Sequence, residues 1–260
     1  MEITFKNYKY HKDILNITIS PKEIVGVTGK NYKNFLNIFN IINKHTEIKI
    51  DGNRLLMKDI DYYKNKIVYI KNLNYLENNY TIEEYLINEI VTHNLDISNE
   101  YKTVLDTLIV VGLDYLDLST NIKDLTTSEK TLLTISTELL YNAEVLVLDE
   151  PYLGLDKINT KIVNIILNKL AEEYDKTIIL GLSNVEDVYS YTNYVCLVNN
   201  NKLDKYGETE EVYKDIKFLE KHNYSIPNSI KIIALVHDRG RNLNYNKDIR
   251  DIIKDIYKHV

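Results

Sequence analysis

Asp149 and Glu150 are the residues whose type and position most directly offer chemistry. They stand in the string Val145-Leu146-Val147-Leu148-Asp149-Glu150-Pro151-Tyr152-Leu153-Gly154-Leu155-Asp156, whose first four residues read as a short buried strand. In a parallel α/β sheet, ligands bind at the carboxyl ends of strands. Two adjacent carboxylates there can hold Mg²⁺ through water and polarise an attacking water molecule. Pro151 stops the strand, Gly154 permits a tight turn, and Asp156 is placed to open the next helix. The plainer reading is a capping pair at a strand-to-helix loop. The other motifs that accompany this pair, in order along the chain, weigh against it.

The first of these is a glycine-bearing turn after an apolar run, Glu23-Ile24-Val25-Gly26-Val27-Thr28-Gly29-Lys30-Asn31-Tyr32-Lys33-Asn34-Phe35-Leu36-Asn37. On its own it is a weak signal. Together with residues 145–156, which resemble the Walker B and D-loop segment of ATP-binding-cassette (ABC) ATPases, it stands where that family carries its phosphate loop, G-x-x-G-x-N-G-x-G-K-S-T. Gly26, Gly29 and Asn31 match the pattern. Tyr32 and Asn34 replace glycines, Phe35 replaces the phosphate lysine, and Leu36 and Asn37 replace Ser and Thr. Glycines let backbone N–H groups cradle phosphates, the lysine neutralises their charge, and the hydroxyl sits on Mg²⁺. Tyr32 would crowd such a cradle, and only Lys30 and Lys33 remain as cations within reach.

The resemblance carries further positions, most of them altered. Leu125-Thr126-Thr127-Ser128-Glu129 takes the place of the L-S-G-G-Q signature, with Ser128 expected as a helix N-cap. Asn72 stands for the Q-loop glutamine and Ser183 for the switch histidine; read alone, they are a loop residue and a turn residue. Tyr10, in the first hairpin, is the candidate for the family's adenine-stacking aromatic. The resemblance thus implies ATP and Mg²⁺ as cofactors, with Asp149 on the metal through water and Glu150 as general base. The substitutions imply that binding is weak or absent.

Around these positions the sequence reads as an α/β chain. Strands are expected at 2–5 and 14–20 with a turn near His11, at 24–28, at 47–50 with a turn at Asp51-Gly52, at 66–71, 145–148, 177–182 and 194–198. Helices are expected at 34–43, 81–90, 99–111, from Ser128, at 157–173 and at 184–190, with helical patterning again beyond Thr209. Thr81 and Glu84 fit a capping box. The expected fold is a P-loop NTPase-like ABC ATPase core, a mixed and mostly parallel sheet flanked by helices, with N-terminal antiparallel strands. Its expected division is an ABC ATPase-like domain over 1–215, with a helical subdomain at about 75–140, and a small segment over 216–260.

Composition bounds the rest. The chain has 260 residues and a formal net charge of -6, which offers no overall drive toward nucleic acid. A single cysteine, Cys196, lies in an apolar strand and excludes an intramolecular disulfide, and no basic-then-apolar leader opens the sequence. Both features suit the cytoplasm. No apolar run is long enough to span a membrane, and the histidines are scattered.

Within the family the sequence is most similar to the ATPase subunits of energy-coupling-factor (ECF) importers, through Ile3-Thr4-Phe5-Lys6-Asn7, Ile48-Lys49-Ile50-Asp51-Gly52, Val111-Gly112-Leu113, Gly207-Glu208-Thr209-Glu210-Glu211-Val212-Tyr213 and the tail from Phe218 to Pro227. That resemblance implies head-to-tail pairing with a second ABC ATPase subunit, a transmembrane coupling protein as partner, and a peripheral place on the inner face of the cell membrane. It further implies uptake of a vitamin or transition metal, and a dimerisation region in the tail. Two alternatives stand beside an impaired subunit: an active ATPase, and a regulatory or scaffold protein that reuses the fold.

Overall fold

Strands β3 (Ile24–Lys30), β7 (Val145–Asp149) and β8 (Thr177–Gly181) are almost wholly apolar, so they form the buried centre of a sheet. The computed structural model describes residues 1–39, 48–64, 66–71, 76, 79–92, 95, 99–141, 143–240, 243, 245–247 and 249–258. With β6 (Ile67–Ile70), β9 (Tyr194–Asn199) and β10 (Lys202–Glu208), these strands make a six-stranded sheet of order β10-β9-β3-β8-β7-β6. All its pairings are parallel except the β9–β10 hairpin. A second sheet, antiparallel and of order β2-β1-β4-β5, is built from β1 (Ile3–Tyr10), β2 (Asp13–Ile19), β4 (Ile48–Ile50) and β5 (Asn53–Arg54). The turns fall where the sequence places them, with His11, Asp51 and Gly52 at positive φ.

Alternation along the central strands divides the core between the two faces of the sheet. Val25, Val27, Val145, Val147, Ile179, Cys196 and Val198 pack with the antiparallel sheet and with α1 (Tyr32–Leu36). Leu146, Leu148, Ile178, Leu180, Val195 and Leu197 pack against the helical face. That face carries α3 (Ile82–Thr92), α4 (Glu100–Val110), α5 (Thr127–Leu140), α6 (Lys157–Glu172), α7 (Val185–Tyr191), α8 (Thr209–Lys214) and α9 (Ile216–Lys221). A short α2 (Ile60–Lys64) precedes β6. The helical hairpin α10 (Asn228–Asp238) and α11 (Ile249–Lys258) holds its own small cluster of Ile233, Leu243 and Ile252, while Leu219 and Ile230 join the main core. Among the described residues no helix is long and apolar enough to cross a membrane.

Helix starts follow their caps. Thr81 and Glu84 form the expected capping box, and Asp156 accepts from the N–H groups of Ile158 at 2.9 Å and Asn159 at 2.8 Å. Two expectations are corrected. The N-cap of α5 is Thr126, in a reciprocal box with Glu129, so Ser128 lies inside the helix, 8% exposed, with its hydroxyl on Asn159 Oδ1 at 3.3 Å. α1 begins at Tyr32, two residues before the expected Asn34, and ends at Leu36 in a 3₁₀ turn over Asn37–Phe39. Residues 40–43 of that expected helix, and Asn72, lie outside the described residues.

Candidate functional site

The early start of α1 determines the site. Gly29 leaves β3 at φ +109°, where an added Cβ would stand 2.1 Å from the Val198 carbonyl oxygen, so only glycine fits this close approach. Asn31 follows in the left-handed region, and Tyr32 to Leu36 then wind directly into helix. The Asn34 N–H bonds to the Asn31 carbonyl at 3.0 Å, so this expected phosphate-cradle position spends its N–H group within its own turn. The loop is also tied to the β9–β10 turn. The Asn31 side-chain amide donates to Asn200 Oδ1 at 3.3 Å, and that of Asn34 to Asn201 Oδ1 at 3.1 Å.

This winding turns Tyr32 toward the two acids. Its hydroxyl donates to Glu150 Oε1 at 2.6 Å and lies 3.3 Å from Asp149 Oδ1, while Lys33 Nζ sits 3.1 Å from Asp149 Oδ2. Burial, then the hydrogen bond donated to Glu150 and the two negative charges, push the Tyr32 phenol far above its ordinary value, so it remains a donor. Asp149 ends β7 at 9% exposure. Glu150 has φ 54°, its N–H bonded to the Gly181 carbonyl at 2.9 Å and its Oε1 accepting the Ser183 N–H at 2.9 Å. The structure therefore brings together Tyr32, Lys33, Asp149, Glu150 and the Ser183 backbone. The sequence marked Tyr32 as an obstruction; it did not reveal the hydroxyl as a ligand of the acids.

Other positions serve packing. Phe35 is 0% exposed, edge-on to Tyr10 at 5.3 Å and to Phe39 at 6.3 Å. Tyr10 is corrected as a stacking surface, because its ring is 4% exposed and committed to Phe35. Gly26 abuts α7, where an added Cβ would meet Thr192 Cγ2 at 3.0 Å. Lys30 lines a cleft together with Ser183. Asp156 acts as the cap of α6.

Gly181 is what lets Tyr32 reach its place. A Cβ there would lie 2.4 Å from Leu36 Cδ1 and 2.9 Å from Tyr32 Cε2. Gly181→Ala is expected to cost about 2 kcal/mol by overpacking and to displace the phenol. Chemical denaturation, with the chemical shift of the Ser183 amide as local reporter, checks both effects; an unchanged midpoint and shift would contradict the packing.

Comparison with known proteins agrees with this fold. The sequence pattern of the family described as ABC transporter matches residues 13–153. The energy-coupling factor transporter ATP-binding protein EcfA2 of Mycoplasma mobile is 28% identical over 169 residues, covering 64% of this chain and 54% of that protein. Its namesake from Clostridium perfringens is 30% identical over 154 residues, covering 58% and 54%. The chain thus spans about half the length of the curated relatives it matches. Among solved structures, CbiO1 from Clostridium perfringens, described as part of the ABC transporter complex CbiONQ, superposes with a TM-score of 0.71. That superposition covers 89% of this chain and 98% of the other at 20% identity, a likeness of fold.

Proposed function

The chain belongs to the ABC transporter family, and from that premise we propose that it is an ECF-type importer subunit impaired in ATP binding and hydrolysis. It pairs with a competent ATPase and docks on a transmembrane coupling protein, at the inner face of the cell membrane. The importer's cargo is a vitamin or a transition metal, recognised by another polypeptide. The division into 1–215 and 216–260, with the tail as a dimerisation region, is part of the same reading.

One observation carries it: the Tyr32 hydroxyl and the Lys33 ammonium already occupy the carboxylates that would serve Mg²⁺ and an attacking water. The residues present do not fit a magnesium triphosphate. Its charge would meet no lysine at position 35, its phosphates no open cradle at 32–34, and its metal no hydroxyl at 36. What remains for these residues is structural. They hold β3, β7 and β8 in register with α1, so that the surface offered to a partner cassette is already formed.

Calorimetry of the full chain with ATP and Mg²⁺ tests this, and no saturable heat at millimolar nucleotide is the expected result. Saturable binding that Asp149→Asn abolishes would overturn it in favour of an active ATPase, the reading favoured by the survival of Asp149 and Glu150 at the end of β7. Failure to co-purify with a membrane assembly would favour a scaffold instead.

A further inference from the structure

We propose that the outer faces of α4 and α6 form a self-complementary surface on which a second copy of this chain docks. Tyr101, Leu105 and Ile109 recur at i, i+4 and i+8 on α4, and Ile158, Ile162 and Ile165 at i, i+4 and i+7 on α6. Each set therefore lies along one side of its helix. All six are between 36% and 72% exposed. Single exposed apolar residues are ordinary, but two runs at helical spacing on neighbouring helices make a contiguous patch that a partner covers.

The two helices meet at the end of α4. An added Cβ at Gly112 would stand 3.3 Å from Ile166 Cδ1, and the Lys169 ammonium donates to the Val110 carbonyl at 3.3 Å. Ile109 precedes Val110 and Ile165 precedes Ile166, so both stripes reach this junction. The opposite sides of the helices, with Val104 and Leu108 on α4 and Val163, Leu167 and Leu170 on α6, are spent on the core.

Charge decides what covers the patch. From Lys157 to Leu170, α6 carries three lysines and no acid. In contrast, α4 carries Glu100 and Asp106 against Lys102, and Asp114 follows it. Lys157, Lys161, Glu100 and Asp106 are exposed and form no ion pair among the described residues. The acids of α4 would repel an anionic bilayer. A second copy supplies the match, because a two-fold axis at the junction lays α4 of each chain on α6 of the other. Apolar stripe then meets apolar stripe at the centre, and the lysines of α6 meet Asp106 at the rim. This contact uses neither α1 with its acid pair nor the α10–α11 hairpin, so it is separate from the pairing proposed above.

Sedimentation equilibrium of the full chain over a concentration series tests the proposal, with a reversible dimer as the expected result. Ile109→Glu and Ile162→Glu, both at exposed positions, should each weaken the dimer about tenfold with the circular dichroism spectrum unchanged. Lys161→Glu and Asp106→Lys should each weaken it, and the two together should recover it. Leu153 lies beside the acid pair, its N–H bonded to the Glu150 carbonyl, and Tyr257 is exposed on α11. Leu153→Glu and Tyr257→Glu should leave the dimer as it is, which sets this contact apart from cassette pairing and from a dimer made by the tail. A chain that is monomeric at every concentration would overturn the surface. So would a dimer lost in Leu153→Glu or Tyr257→Glu but kept in Ile109→Glu, or a double charge reversal that recovers nothing.

Discussion

Phe35→Lys, the substitution that restores the family's phosphate lysine, destabilises this protein by about 4 kcal/mol and confers no binding of ATP. The aromatic ring is fully buried between Tyr10 and Phe39, beneath a helix that starts three residues before it. Removing such a ring from a packed core costs roughly 3–5 kcal/mol. A lysine at that point adds either the desolvation of an ammonium or the work of pulling its stem out to water. Urea denaturation followed by circular dichroism should show the midpoint falling by about 1 M or more. Calorimetry with MgATP should stay flat, because Tyr32 still covers the acids. A variant as stable as the parent that bound MgATP would show a phosphate loop one residue away from function, and the structural reading of α1 would fail.

This expectation depends on how one residue type acts at two levels. At the level of sequence, Phe35 counts only as a missing lysine. At the level of packing it is the reason that α1 sits where it does, since its ring fills the space between the antiparallel sheet and β3. The loss of the cradle and the gain of a core residue are therefore one event, and the Tyr32–Glu150 bond follows from it. Gly181 was legible only as part of an apolar strand, yet its missing Cβ is what admits Tyr32 and Leu36.

Much of the fold could be read directly. The runs that became β3, β7, β8 and β9 are apolar enough to demand burial on both faces, and Thr81-Glu84 and Asp156 announce their helices by capping chemistry. What was not read had weaker local signals. Lys202–Glu208 is polar and half-exposed, so nothing in its pattern marks it as β10, an edge strand fixed by pairing with β9. Ser128 competes with Thr126 for the same cap, and the choice fell to the residue whose third successor is Glu129. The early start of α1 depends on the Asn31–Asn200 and Asn34–Asn201 bonds, between segments far apart in sequence. Of the candidate site, the two acids were legible from their place after an apolar run. The partners that occupy them were not, because hydrogen bonding between residues 32 and 150 leaves no local trace.

Raising the pH from 10 to 11 is expected to unfold the protein cooperatively. Tyr10, Tyr32, Tyr152, Tyr189 and Tyr213 are each at least nine-tenths buried. Desolvation pushes the phenols of Tyr10 and Tyr189 up to about 12 and those of Tyr32, Tyr152 and Tyr213 higher still. In the unfolded chain a tyrosine loses its proton near pH 10. A group whose folded value is raised keeps its full contribution below the unfolded value and loses it as pH climbs past that value, because the unfolded state then releases the proton first. One pH unit above the unfolded value, each such tyrosine favours unfolding by about 1.4 kcal/mol, and five together by about 7 kcal/mol, which is comparable with the whole stability of a typical domain, roughly 5–15 kcal/mol. The buried Cys196 thiol, also pushed up, acts in the same direction. Lys176 and Lys247, whose ammonium groups burial pushes down, act in the opposite direction, but two lysines do not offset six raised groups. Circular dichroism and the phenolate absorbance of the buried tyrosines, recorded together during an alkaline titration, should change in one shared transition. Tyr32→Phe should reduce the pH slope of stability by one proton. Gradual ionisation of all tyrosines with the helical signal intact at pH 12 would contradict the burial on which the closed acid pair depends.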